Sequence, residues 1–424
     1  MIWTLVLLPI VLMVMGMPIF TVLMASACLA LIYVLDLPIG LIQTELFGSV
    51  DNYNLIAVPF FILAGAIMSA GGISSRLVNW VLALFGGVRG SLGLTMVGAC
   101  TVFSAISGSS AATVAAIGRM LYPSLRAKGY PESTASGLLA ASGAIDAVIP
   151  PSIVMILYGV AAEESIRYLF IGGILPGLLM AGLMALYIYV VARRLDIREG
   201  GQFSFANVVS TTRSGGWALG MPVIILGGIY TGVFSPTEAA GVACLYAIVV
   251  GLFIHRDLTL AGLWKVTLES VILTAQVLII VAAAALFARL LTIAGVPQSI
   301  AAWIESLQLS PVTVMLMMNI LLLAVGCVVD PASAILVLAP ILKPIAVQAG
   351  IDPIHFGVVM TVNLSIGMFT PPFGLNIFII QAMFKVPLRV LYRGLVPVIG
   401  VNLVALTIIS LWPGLTLWLV RLVG

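Results

Sequence analysis

Four short runs in the chain carry the residue types that could do chemistry. Ser107-Gly108-Ser109-Ser110 and Val329-Asp330-Pro331-Ala332-Ser333 lie midway along apolar stretches, and Ile149-Pro150-Pro151-Ser152 and Thr370-Pro371-Pro372-Phe373-Gly374 interrupt two others. Proline removes a backbone donor and clashes with the preceding turn, so two in succession leave carbonyls without helical partners. Such carbonyls suit a dehydrated cation. Helix N-termini at the same breaks offer N–H groups and the positive end of the helix dipole, which suit a carboxylate. Taken singly, each run has a plainer reading: Ser-Gly-Ser-Ser as close helix packing, Pro-Pro as a kink. Asp330 is the sharpest residue, because a carboxylate at membrane depth costs ~2.5–3.5 kcal/mol even on a lenient insertion scale and marks a functional site by default. Capping of the helix that starts at Pro331 is compatible with that role. Asp146, four residues before Pro150, fits a second cation or proton site, or a pairing with a buried polar group. Ser110, Asn363, Ser365 and Asn376 offer neutral hydrogen bonds to a polar substrate or a cation shell. Glu238, in Ser235-Pro236-Thr237-Glu238, reads as N-terminal capping of its helix.

These runs sit in a chain of 424 residues that is 62% hydrophobic and only 8% charged. That composition implies membrane spans, not a soluble core. Met1–Val14 lacks a basic flank and a small-residue cleavage site, and reads as the first span and not as a removable signal. Hydropathy places ten spans, at residues 1–16, 18–35, 52–70, 132–160, 168–192, 214–232, 236–254, 270–292, 353–384 and 394–418. The remaining apolar stretches, 91–122 and 311–342, read as re-entrant hairpins. With both re-entrant, Arg76, Arg89, Arg119, Arg126, Lys128, Arg193, Arg194, Arg198, Arg213, Arg256, Lys265, Lys385, Arg389 and Arg393 share one face. Only Arg167, Arg289, Lys343 and Arg421 fall at or near the other, which marks the first face as cytoplasmic. Asp36–Asp51 carries acids and no Lys or Arg, and reads as an outside loop. Cys28, Cys100, Cys244 and Cys327 sit alone in apolar sequence and read as packing residues.

An offset of 221 carries Pro123 to Pro344, Gly129 to Gly350, Pro150-Pro151 to Pro371-Pro372, Pro176 to Pro397 and Asp36-Leu37 to Asp257-Leu258. Each half then holds five spans and one hairpin, and an odd span count inverts the second copy in the membrane. The fold class is an all-α membrane protein of two inverted repeats with re-entrant helical hairpins and broken helices. The first repeat covers 1–192 with its hairpin at 91–128, a cytoplasmic linker covers 193–213, and the second repeat covers 214–424 with its hairpin at 311–349. Discontinuous helices at matching places of two halves point to a central binding site. An enzyme is not expected: Ala105 breaks a GxSG pattern before Ser107-Gly108, and His255 and His355 lie near span ends. No GxxxxGK[ST] run for ATP is present. No cofactor is expected, and the partners are membrane lipid and no nucleic acid.

The chain resembles the large membrane subunit of tripartite ATP-independent periplasmic (TRAP) transporters. The matching residues are Phe103–Ser109, Ile149–Ser152, Phe234-Ser235-Pro236-Thr237-Glu238-Ala239-Ala240, Asp330-Pro331, Gly350–Gly357 and Thr370–Asn376, spread over essentially the whole chain. The resemblance implies an elevator-type carrier in the bacterial inner membrane that imports a small organic anion on a sodium gradient. It further implies a small four-helix membrane subunit and a periplasmic substrate-binding protein. By that similarity the sodium sites fall on Ser107, Gly108 and Ser109 with Pro150 and Ser152, and on Asp330 with Thr370 and Gly374. Two positions depart from the family pattern: Thr113, where many relatives carry an acid, and Asp146, where many carry a small residue. A self-sufficient cation-coupled organic anion symporter is the alternative.

Overall fold

The computed structural model describes residues 7–197 and 203–423, so Arg198 and the first six residues of the expected opening span lie outside the described residues. Twenty α-helices and no strand occur among the described residues. The first half contains α1 (Leu8–Val14), α2 (Ile19–Leu29), α3 (Ile39–Val50), α4 (Ala57–Ala70), α5 (Ile73–Leu84), α6 (Ser91–Ser107), α7 (Ser110–Ala127), α8 (Glu132–Ala144), α9 (Ile153–Ala161) and α10 (Ile166–Arg194). The second contains α11 (Phe205–Tyr230), α12 (Pro236–Val249), α13 (Leu260–Ile293), α14 (Val296–Ser306), α15 (Pro311–Gly326), α16 (Pro331–Gln348), α17 (Pro353–Gly367), α18 (Leu375–Phe384), α19 (Leu388–Leu411) and α20 (Gly414–Val423). Six helices among the described residues are long and apolar enough to cross a membrane, including α10, α13, α16 and α19.

Local chemistry sets these boundaries. Gly108, at φ 61°, ends α6 in the left-handed conformation that closes a helix without a Cβ penalty. At the other hairpin, the Asp330 side chain caps α16 by accepting the Ser333 N–H at 3.0 Å. Ser235 and Glu238 form the reciprocal capping box that the sequence indicates for α12. The expected span 132–160 divides into α8, a 3-10 turn over Ile145–Ala147, and α9, while 353–384 divides into α17 and α18. Both divisions carry cis Pro-Pro peptides, Pro150-Pro151 and Pro371-Pro372.

Three expectations are corrected. Asp36–Asp51, read as an outside loop, contains the helix α3, and α5 and α14 between the expected spans are further short helices, all below the length that a twenty-residue hydropathy window detects. The span expected at 270–292 begins at Leu260, because Lys265 and Glu269 lower the hydropathy without interrupting the backbone, and Thr259 caps the start by accepting the Gly262 N–H at 3.1 Å. The connection drawn at 193–213 contracts, since α10 continues to Arg194 and α11 starts at Phe205.

Helix boundaries repeat at the offset seen in the sequence: 221 residues carry α7 onto α16 from end to end, and the start of α8 onto that of α17. Packing crosses the halves. α8 lies against α19 and α10 against α17, while α9 packs on α16 and α18 on α7. A second group, α2 to α5 with α11 to α13, packs among itself, and α4, α5 and α13 present one side to the hairpins.

Candidate functional site

A cavity of about 350 Å3 lies where the two hairpin tips meet α4 and α13. Ser107, Gly108, Ser109 and Ser110 line it from the first tip, Asp330, Pro331 and Ala332 from the second. Ile153 and Val154 open α9 there, and Leu375 opens α18. Four helix N-termini, those of α7, α9, α16 and α18, therefore face one space, and first-turn N–H groups have no intrahelical acceptor. The C-terminal ends of α6 at Ser107 and of α17 beside Met368 face it too, bringing the opposite pole of the dipole. The helix N-termini bring partial positive charge for an anion, and the Ser107, Ser109, Ser110 and Asp330 side chains supply oxygens in a wall that is otherwise mainly apolar. Among its lining residues Asp330 is the single formal charge.

The first tip is tightly held. A side chain on Gly108 would meet the Pro151 carbonyl oxygen at 2.8 Å, so the tip rests directly on the first Pro-Pro break. A Cβ added at Gly65 of α4 would stand 3.0 Å from the Ser107 carbonyl oxygen, so α4 also passes close to this tip. Ser107 Oγ accepts from the Ser109 N–H at 3.3 Å. Ser152 Oγ donates to the Ala147 carbonyl at 2.5 Å and accepts the Met155 N–H at 3.3 Å, fixing the start of α9. At the second tip, Ser333 Oγ donates to Asp330 at 2.5 Å. The Phe373 N–H donates to the Cys327 carbonyl at 3.2 Å, tying that tip to the second Pro-Pro break.

The expected site residues fall into three groups. Ser107, Gly108, Ser109, Ser110 and Asp330 line the cavity. Pro150, Ser152, Thr370, Gly374 and Asn376 stand in the supporting breaks. Thr370 Oγ1 donates to the Ile366 carbonyl at 2.7 Å, and Gly374 passes the Met368 carbonyl where a Cβ would come within 2.6 Å. Asn376 Nδ2 donates to Ser110 Oγ at 3.0 Å and to the Ala140 carbonyl at 2.9 Å, joining α18 to α7 and α8. Asn363 and Ser365 do not line the cavity. Asn363 Nδ2 donates to Asn319 Oδ1 at 2.8 Å in a buried chain that continues to Ser410, and Ser365 Oγ donates to the Val362 carbonyl.

Sequence reasoning passed over Gln276 on α13 and Gly65 on α4, both in the cavity wall. An amide in the uncharged stretch Ser270–Ala288 was the available signal for Gln276. For Gly65 only the three-dimensional contact gives one. His355 faces Thr416 at 2.7 Å and does not border the cavity.

Residues 6–415 match the family described as "Tripartite ATP-independent periplasmic transporter, DctM component". The chain belongs to this family. It is 44% identical over 380 residues to the C4-dicarboxylate TRAP transporter large permease protein DctM of Pseudomonas aeruginosa, covering 90% of this chain and 89% of that one. It is 39% identical to the ectoine/5-hydroxyectoine large permease protein UehC of Ruegeria pomeroyi, covering 97% and 96%. The isethionate permease protein DctMQ of Oleidesulfovibrio alaskensis is 37% identical, covering 96% of this chain and 64% of that longer one. In fold the chain is similar to the YdaH transporter of Alcanivorax borkumensis, with a TM-score of 0.65 at 17% identity over 88% of this chain and 87% of that one. As a DctM-family large permease it is a transporter component of the inner membrane with several spans.

Proposed function

We propose that the chain is the sodium-coupled carrier of a tripartite system that imports a small organic acid delivered by a periplasmic binding protein, together with a small membrane subunit. The observation that carries this reading is the convergence of four helix N-termini and two hairpin tips on one cavity that no Lys or Arg lines. A carboxylate entering it finds dipole ends and N–H groups but no cationic side chain, and Asp330 adds a formal negative charge of its own. Cations entering with the substrate offset that charge, which makes coupled uptake the economical route in a low-dielectric site. Sodium accepts hydroxyl, carboxylate and carbonyl oxygens, and these are the donor types at Ser107, Ser109, Asp330 and the two breaks.

The volume suits a small acid, at the lower end of the ~300–1,000 Å3 typical of small-molecule sites. The named substrate of the Pseudomonas relative, a C4-dicarboxylate, fits that size class. The recurrent helix boundaries support two inverted repeats. The packing of α6–α10 with α15–α19, against α4, α5 and α13, supports an elevator in which the hairpin-bearing group moves along a fixed scaffold. The DctMQ relative, of which this chain covers 64%, agrees with a separate small subunit as partner.

The test is reconstitution in liposomes under an inward sodium gradient. The chain alone is expected to show negligible uptake of C4-dicarboxylates, and addition of the small subunit and matched binding protein restores it. Robust sodium-driven uptake by the isolated chain would select the self-sufficient symporter. Uptake indifferent to sodium would overturn the coupling.

A further inference from the structure

The two hairpin tips are built differently, and the difference isolates one buried acid. At the second tip the carboxylate belongs to the tip itself, as Asp330. The 221-residue offset places Ser109 at the same point of the first tip, where it caps α7 without a side-chain hydrogen bond. That tip has no acid of its own. Asp146, on the 3-10 turn that precedes the first Pro-Pro break, is fully buried, and that turn packs against α6 and α7, the two arms of the first hairpin. Thr113 Oγ1 donates to Asp146 Oδ2 from the first turn of α7. Oδ1 is buried without a hydrogen-bond partner.

The second half mirrors this arrangement in reverse. The offset carries Asp146 to Gly367, which packs so closely on Gly326 that a Cβ would lie 2.4 Å from its carbonyl. No acid fits there, and Asp330 is present instead. Each tip thus has one carboxylate, supplied by the tip loop in one half and by the facing break in the other. A buried carboxylate oxygen without a partner costs several kcal/mol unless a donor or cation meets it.

We propose that Asp146, fixed through Oδ2 by Thr113, supplies the negative charge and a direct oxygen ligand to the coupling-cation site at the first hairpin tip. The assignment rests on the sodium-coupled reading above. It separates Asp146 from a residue that only anchors the tip, because an anchor works through hydrogen bonds that an amide partly preserves, whereas a ligand works through charge.

The experiment uses the purified full chain with its small subunit and follows thermal stabilisation on titration with sodium, with potassium or choline as control. Ligand that binds only the folded state raises the melting temperature according to its concentration over Kd. Asp146→Asn is expected to leave the melting temperature in choline close to that of the parent and to shift the sodium midpoint upward by about tenfold or more. The double variant Thr113→Asp with Asp146→Thr returns a carboxylate to the same contact from the other helix, and is expected to recover most of the sodium response. Should Asp146→Asn fold poorly, the double variant still decides, since a folded protein with restored sodium response requires the charge and not the position. An unchanged sodium midpoint in Asp146→Asn, or a folded double variant without sodium response, overturns the proposal while leaving sodium coupling intact. A parent protein that sodium stabilises no more than choline overturns the coupling reading, and the Asp146 assignment with it.

Discussion

Asp330 shows how one side chain can hold structure and charge at once. Its oxygens cap α16 through the Ser333 N–H and hydroxyl, and the same carboxylate is the formal charge in the cavity wall. The two roles separate by substitution, because Asn caps a helix about as well as Asp while Ala loses ~1 kcal/mol. Asp330→Asn is expected to keep insertion and melting temperature near the parent values, and to lower sodium-driven uptake by tenfold or more, about 1.4 kcal/mol. Asp330→Ala is expected to lose uptake similarly and also to melt several degrees lower. Sodium titrations of uptake with parallel melting curves check both. Normal uptake by Asp330→Asn at unchanged sodium dependence would reduce the residue to a cap.

Helix crossings that bring backbones into contact set the frame around the cavity. α19 meets α8 at Gly394, where a Cβ would stand 1.8 Å from the Ser133 carbonyl oxygen, and Gly137 returns the contact against the Gly394 carbonyl. Neither helix can yield without moving the break that follows α8. Gly394→Ala is expected to lower stability by ~1–3 kcal/mol through overpacking. Gly400→Ala, on the same helix with nothing within 4 Å of the added carbon, should be neutral or slightly stabilising. Melting temperatures of the two variants give the comparison, and equal values would remove the crossing from the argument. The breaks themselves were legible in the sequence, because Pro-Pro and Ser-Gly-Ser-Ser contradict the apolar runs around them. Which ends meet was not. The pairings of α9 with α16 and of α18 with α7 join segments far apart in the chain, and nothing local encodes them. Asn363, a buried amide that reads as a hydrogen-bond partner for a polar substrate or a cation shell, is found beside Asn319, a contact that nothing local encodes.

At the scale of the molecule, ion pairs bear on how the chain sits in the membrane. Arg76 pairs with Asp257 at 2.6 Å, Lys343 with Glu164 at 2.6 Å, and Arg289 with Glu45 at 4.0 Å. Each joins residues that the charge distribution assigns to one face, the first pair cytoplasmic and the other two outside. Length alone leaves the second hairpin open, since α16 by itself is long enough to cross. A crossing α16 would carry Ala349 to the cytoplasm, whereas a re-entrant α16 returns it to the outside. The first hairpin sets the opposite requirement: Ala127, at the end of α7, stays cytoplasmic. Lys128 and Ala349 are counterparts under the 221 offset, so inversion demands that this end of the two hairpins open to opposite sides. In a background with Cys28, Cys100, Cys244 and Cys327 replaced, a single cysteine at Ala127 is expected to react with a membrane-impermeant maleimide only from the cytoplasmic side. Cysteines at Gln43 and Ala349 are expected to react only from the periplasmic side. Cytoplasmic labelling at Ala349 would make α16 a simple span, reverse every later segment, scatter the basic loops across both faces and end the inverted-repeat reading.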